Sequence, residues 1–254
     1  MAKELKSFFP KEHGAYVVLL SAWLFGIVFS HESDNYGFTL SLILSGSLFC
    51  LQEPIKDFIN GRKKSVSHSV IYVVLFSSLA LCSGILLLVK SIGIPQLIVP
   101  LIAVVLSFSI ATRSRYSVIV KSMIGFIGLS LVTPLTILSA QSASDIVRLL
   151  AIWVFVALFF CSSIFCVEIR ISKGSKITTA ILYHVLTVAI TAILISSNLL
   201  PIATVAPLCV ITIRFVLVLL FQKRYSTIAI KHIGIQESIV ALAGVLFTTI
   251  FLLQ

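Results

Sequence analysis

Residues 147–167 read VRLLAIWVFVALFFCSSIFCV, an unbroken apolar run whose single charge, Arg148, sits at its edge. A half-buried strand would alternate apolar and polar residues, and this run does not. Its length matches the roughly 20 residues that a helix needs to cross a hydrocarbon core about 30 Å thick. Within lipid every backbone polar group must be satisfied internally, so only helices and closed barrels span, and continuous runs select helices. The run then stops abruptly at Glu168 and Arg170, with Lys173 and Lys176 close behind.

Eight more runs of this kind flank it. Together the expected spans are 14–30, 36–51, 69–89, 95–112, 118–140, 147–167, 177–196, 199–221 and 233–253. The second is short, Pro100 interrupts the fourth, and Pro134 and Pro207 are expected to kink the fifth and eighth. The composition agrees. Hydrophobic residues make up 59% of the 254 and charged residues 11%, against about 25% charged in soluble domains. One soluble core cannot bury that excess, so the expected fold class is an all-α polytopic membrane protein of nine transmembrane helices. Residues 1–254 read as a single transmembrane domain. The first run is long and lacks a small-residue cleavage pattern, so it is expected to remain as a span.

The formal net charge is +10. Lys3, Lys6, Lys11, Lys56, Arg62, Lys63, Lys64, Arg113, Arg115, Lys121, Arg170, Lys173, Lys176, Lys223, Arg224 and Lys231 all fall on one side of the alternating spans, sixteen of the nineteen basic residues. The positive-inside rule makes that side cytoplasmic, with the N-terminus inside and the C-terminus outside. The charge therefore records orientation and contact with anionic membrane lipids. No basic stretch outside the spans is interleaved with aromatics, so nucleic acid is not an expected partner. Cys50, Cys82, Cys161, Cys166 and Cys209 all lie in apolar runs and read as small buried hydrophobes.

The polar residues worth explaining cluster on the cytoplasmic side. Glu53 and Asp57 are four apart, the spacing that shares a helix face and lets two carboxylates meet one cation; a solvated loop is the alternative. Glu168 ends the central run, where the helix dipole disfavours a carboxylate, so it needs a basic partner or a metal ion. Arg113 and Arg115 suit phosphate contacts or simple anchoring beside Tyr116. Arg214 lies inside a span, open to a functional role or to snorkelling. His184, also inside a span, could hydrogen-bond a neighbouring helix. Glu12 and Glu237 sit at expected helix starts, where unpaired amides and the dipole favour acids, and Pro10 suits the first helical position. His13 has no such explanation, and Gly14 beside it would let another group approach the backbone.

Three stretches carry a family resemblance. "PKEHGAY" (10–16), "VEIRISK" (167–173) and "IGIQE" (233–237) resemble the YwiC-like family of bacterial membrane proteins. The first looks like that family's Pro-Arg-Glu-His-Gly-Ala-Trp opening, with Lys11 for arginine and Tyr16 for tryptophan. The helix layout in turn resembles the UbiA superfamily of intramembrane prenyltransferases, which implies a UbiA-like bundle in the bacterial cytoplasmic (inner) membrane. In that superfamily, Asp-rich loops after helices two and six hold Mg2+ and a prenyl diphosphate. Here "QEPIKDFIN" keeps one four-residue interval of acids, and Glu168 stands where the second motif begins.

The resemblance implies an isoprenoid or lipid-like ligand held at a cytoplasmic mouth. Glu53, Asp57 and Glu168 would hold Mg2+. Arg62, Arg113, Arg115, Arg170, Lys173, Arg214 and Glu237 would bind substrate. His13, with Glu12, would be the catalytic pair, His13 as general base. The rival expectation is a transporter or binding protein for an amphipathic anionic ligand, without catalysis.

Overall fold

The structure is a computed structural model that describes residues 13–30, 34–59, 66–89, 117–140, 145–172 and 174–253. These form α1 (His13–Ser30), α2 (Asn35–Ile59), α3 (Val66–Val89), α4 (Val118–Ser130), α5 (Val132–Ala140), α6 (Ile146–Ile171), α7 (Ile177–Ser196), α8 (Val205–Leu220), the single turn α9 (Gln222–Tyr225) and α10 (Ile230–Leu252). A 3-10 turn, Ile202–Thr204, leads into α8, and the described residues contain no strand. The expected span 95–112 lies outside the described residues.

Six helical stretches are long and apolar enough to cross a membrane: Val70–Val89, Ile119–Ala140, Ile146–Ile171, Ile177–Ser196, Ile202–Leu220 and His232–Leu252. Gly14–Ser30 and Asn35–Leu51 are shorter apolar helices. The chain is thus a multi-pass, all-helical membrane protein. Many large apolar side chains, among them Leu81, Val89, Leu182, Ile213 and Leu246, are exposed, as a lipid-facing surface requires. The cysteines divide accordingly: Cys161 and Cys166 are buried, but Cys82 and Cys209 are exposed, so the expectation of five buried thiols does not hold.

The prolines act in two ways. Pro134 has no N–H to offer the carbonyl of Ser130, four residues back, and its ring crowds that carbonyl. The helix accordingly breaks there: α4 ends at Ser130, and the Leu131 N–H tightens onto Gly128 O at 3.2 Å. Pro207 does not kink α8. It falls in the first turn after Val205, where backbone donors have no intrahelical partner and a proline removes nothing.

α6 is the central helix, with two-thirds of its span buried, and α1, α4, α5, α7, α8 and α10 all pack on it. Phe25 and Phe29 of α1 meet Phe155, Phe159 and Phe160 of α6, mostly edge to face, with ring centroids 5.5–6.5 Å apart. That is the favoured geometry for ring quadrupoles. α1 also meets α5 through Ala22 and Gly26, and the Thr133 hydroxyl donates to Ala22 O at 2.8 Å.

The turn from α6 to α7 is fixed by Gly174, whose φ of +93° favours glycine. Its N–H returns to Ile169 O at 2.9 Å and closes the α6 carboxyl end. A Cβ at this position would also strike the Gln222 side-chain amide. Gly174→Ala is expected to cost about 1–2 kcal/mol from the left-handed backbone alone, read as a lowered midpoint of thermal unfolding in detergent.

Candidate functional site: a cavity at the end of α6

The amino ends of α1, α4 and α10 and the carboxyl end of α6 surround one cavity of about 250 Å³. Their adjacency puts these four ends on the same side, as the charge alternation requires. Gly14, Val17 and Val18 come from α1, and Ile119, Ser122 and Phe126 from α4. α6 supplies Phe159, Phe160, Ser162, Ser163 and Glu168, and α10 supplies Gly234, Glu237, Ser238 and Ala241. By helix register the phenylalanines of α6 lie three turns in from its end, while Gly14 and Gly234 lie at the outer rim. The depth is therefore aromatic, and the outer part sets Ser122, Glu168, Glu237 and Ser238 among Ile119, Val167 and Ile171. A Cβ on Gly14 or Gly234 would meet nothing within 4 Å, so the rim beside both is open.

Both described carboxylates of the wall are engaged. Glu168 Oε1 accepts from Lys176 Nζ at 2.6 Å. Lys176 is 46% exposed, so this pair is worth at most about 1 kcal/mol. Glu237 pairs with the Arg214 guanidinium across α8 and α10, with both side chains more than four-fifths buried. Neither Arg214 Nη1 nor Glu237 Oε2 has a further partner, and both atoms are buried. Arg214 therefore does not snorkel to water. The helix-start explanation of Glu237 also fails. α10 begins at Ile230, so Glu237 is its eighth residue, about 10 Å in and past the first turn where the dipole acts.

Arg170 turns away from the cavity to donate through Nε to Ile228 O at 2.9 Å, tying α6 to the segment before α10. Arg214 and Arg170 both act on the buried Tyr225 phenol. Burial pushes that phenol above its ordinary value of 10, and Arg214 opposes the rise more than Arg170 does. His184 stays out of the site. Its Nδ1–H donates to Ala180 O of its own helix at 2.8 Å, not to a neighbouring helix, and its ring stacks on Phe215 at 3.7 Å.

Of the expected site residues, the structure brings Glu168 and Glu237 to one cavity, with Arg214 directly behind Glu237. Arg170 lies nearby but is engaged elsewhere. Glu53 and Asp57 lie on the last two turns of α2, and His13 opens α1 beside the cavity residue Gly14; their side chains are outside the described ones. Glu12, Arg62, Arg113, Arg115 and Lys173 lie outside the described residues altogether. Among the described residues no three His, Cys, Asp or Glu side chains converge as metal ligands, and Glu168 already holds a lysine. The described residues therefore do not build a Mg2+ site by themselves.

Sequence reasoning missed the wall serines; it expected a basic partner or a metal ion for Glu168, and Lys176 is that partner. Ser162 and Ser163, adjacent hydroxyls inside the central apolar run, were the available signal.

Fold and site together define a multi-pass helical membrane protein with a largely apolar cavity, carrying a few polar groups, at one end of its central helix. The chain belongs to the YwiC-like family: the family model described as YwiC-like protein matches residues 9–137, from just before α1 to within α5. No curated protein and no solved structure matches it. The matched region includes "PKEHGAY", Glu53 and Asp57, and it ends before α6.

Proposed function

We propose that this protein is a UbiA-like bundle of nine spans in the bacterial inner membrane, with its N-terminus in the cytoplasm. On this reading it takes an isoprenoid or lipid-like amphipathic molecule into the cavity from the cytoplasmic side. The observation that carries the proposal is the cavity itself. It has an apolar, aromatic depth for a chain and a few polar side chains, Ser122, Glu168, Glu237 and Ser238, for a head, the arrangement usual for small-molecule sites. Its volume lies below the ~300–1000 Å³ common for ligand pockets, so it takes a head and a short run of chain, with the remainder in the bilayer.

Prenyl transfer is the second reading. It is favoured by Arg214 directly behind the cavity residue Glu237, the described guanidinium that could reach a diphosphate if Glu237 released it. In that reading Mg2+ on Glu53, Asp57 and Glu168 would neutralise the leaving diphosphate, Arg62, Arg113, Arg115 and Lys173 would add phosphate contacts, and Glu12 and His13 would serve acid–base chemistry. Glu168 would first have to release Lys176.

Equilibrium binding of farnesol and of farnesyl diphosphate to the protein in nanodiscs, with and without Mg2+, tests the proposal. Saturable binding of either is expected. Gly14→Leu and Gly234→Leu are expected to weaken it about tenfold, near 1.4 kcal/mol. They should not lower stability, since a leucine in a helix is favoured over glycine by up to about 1 kcal/mol. Diphosphate release requiring Mg2+ would establish transfer, and binding without release would establish a carrier or binding protein. Absence of saturable binding under every condition would overturn the proposal.

A further inference from the structure

We infer that the head group taken by this cavity is a hydrogen-bond donor, a hydroxyl or an amine, and not a free anion. This inference rests on the binding reading above and names the ligand class within it.

The argument is an account of hydrogens on the described wall. A serine hydroxyl has one hydrogen to donate and lone pairs to accept with. Ser162 spends its hydrogen on Phe159 O at 2.7 Å, Ser163 on Phe160 O at 2.8 Å, and Ser238 on Gly234 O at 2.9 Å. Each satisfies its own helix and meets the cavity as an acceptor. Glu168 and Glu237 are acceptors by nature, with about four lone-pair sites each. Lys176 and Arg214 each engage one oxygen, Oε1 in both cases. Glu237 Oε2 remains buried without a donor, and a buried polar atom of this kind is costly until satisfied.

None of the described lining side chains is a lysine or arginine. Ser122 is the one wall hydroxyl for which the structure records no bond. The amides that begin α1 and α4 lie at the outer rim, whereas Glu237 and Ser163 sit about two turns in from the ends of their helices, roughly 10 Å. An anion seated at that depth would face the Glu237 carboxylate and three hydroxyl oxygens without free hydrogens, with the Glu168 carboxylate about one turn nearer the mouth. A hydroxyl or amine would instead donate to these acceptors.

Three amphiphiles with one chain and different heads test this: farnesol, farnesylamine and farnesyl diphosphate, each titrated into the whole protein in nanodiscs with empty nanodiscs subtracted. The alcohol and amine are expected to bind at least tenfold more tightly than the diphosphate. Glu168→Gln, which leaves the buried Arg214 pair intact, is expected to weaken the amine more than the alcohol. Tighter binding of the diphosphate, with or without Mg2+, would overturn the donor-head inference and leave the binding reading standing. Saturable binding of none of the three would overturn the binding reading itself, and with it this inference.

Discussion

Glu237→Ala is expected to destabilise the folded protein by roughly 3–5 kcal/mol. The substitution leaves the Arg214 guanidinium, 11% exposed, with no carboxylate inside a span. Folded domains hold only about 5–15 kcal/mol in total, so the loss is a large share. Glu237→Gln, which keeps an acceptor, should lose less. Replacing both members, Arg214→Met with Glu237→Leu, removes the buried charges together and is expected to recover most of the loss. That recovery separates a true pair from two independent packing effects. Thermal unfolding in detergent, followed by the helical circular dichroism signal, would measure all four proteins. Equal destabilisation of the double and single variants would show that the pair is not what holds α8 to α10.

Gly26→Val carries the second large effect. A Cβ at Gly26 would stand 2.5 Å from the Thr136 Cβ and 2.9 Å from the Thr133 carbonyl oxygen on α5. The second contact is to backbone, so no rotamer change relieves it, and the helices must separate. Helix association in membranes depends on such close approach, with small residues four apart, here Ala22 and Gly26, forming the seam. Separation would also stretch the Thr133 hydroxyl bond to Ala22 O. Overpacking of this kind costs about 1–3 kcal/mol, and the upper end is expected because two contacts yield together. Gly46→Val on α2, where a Cβ would meet nothing within 4 Å, is the matched control and should be close to neutral by the same thermal assay.

Membrane helices were legible in the sequence because their signal is length and apolarity, which the bilayer imposes residue by residue. The run at 177–196 matches α7 at both ends. Boundaries shifted where polar residues join a helix: α6 continues through Glu168 and Arg170 to Ile171, and α2 continues through Glu53 and Asp57 to Ile59. A hydropathy reading stops at the first charge, but a helix stops where its caps and glycines allow, at Gly174 in the first case. Pro134 and Pro207 show the same limit, since a proline's effect depends on whether its missing N–H would have had a partner.

The site was legible in part. Charge placement put Glu168, Arg170, Arg214 and Glu237 at one end of the bundle, and the structure keeps them there. It could not assign partners, because pairing between α8 and α10, or between Glu168 and Lys176 eight residues on, depends on helix rotation. The wall serines were hidden for a related reason: a hydroxyl bonded to its own helix reads as an ordinary apolar-segment serine until a cavity is seen beside it.

The central claim is that the cavity beside α6 holds an amphipathic ligand. Photolabelling with a diazirine-bearing farnesol analogue in nanodiscs, followed by mass-spectrometric mapping of the adducts, tests it most directly. The account predicts adducts concentrated at Phe159–Phe160 of α6 and Val240–Ala241 of α10, lost on competition with unlabelled farnesol. Adducts confined to lipid-facing residues such as Leu81 of α3 and Leu182 of α7, and insensitive to competition, would contradict it.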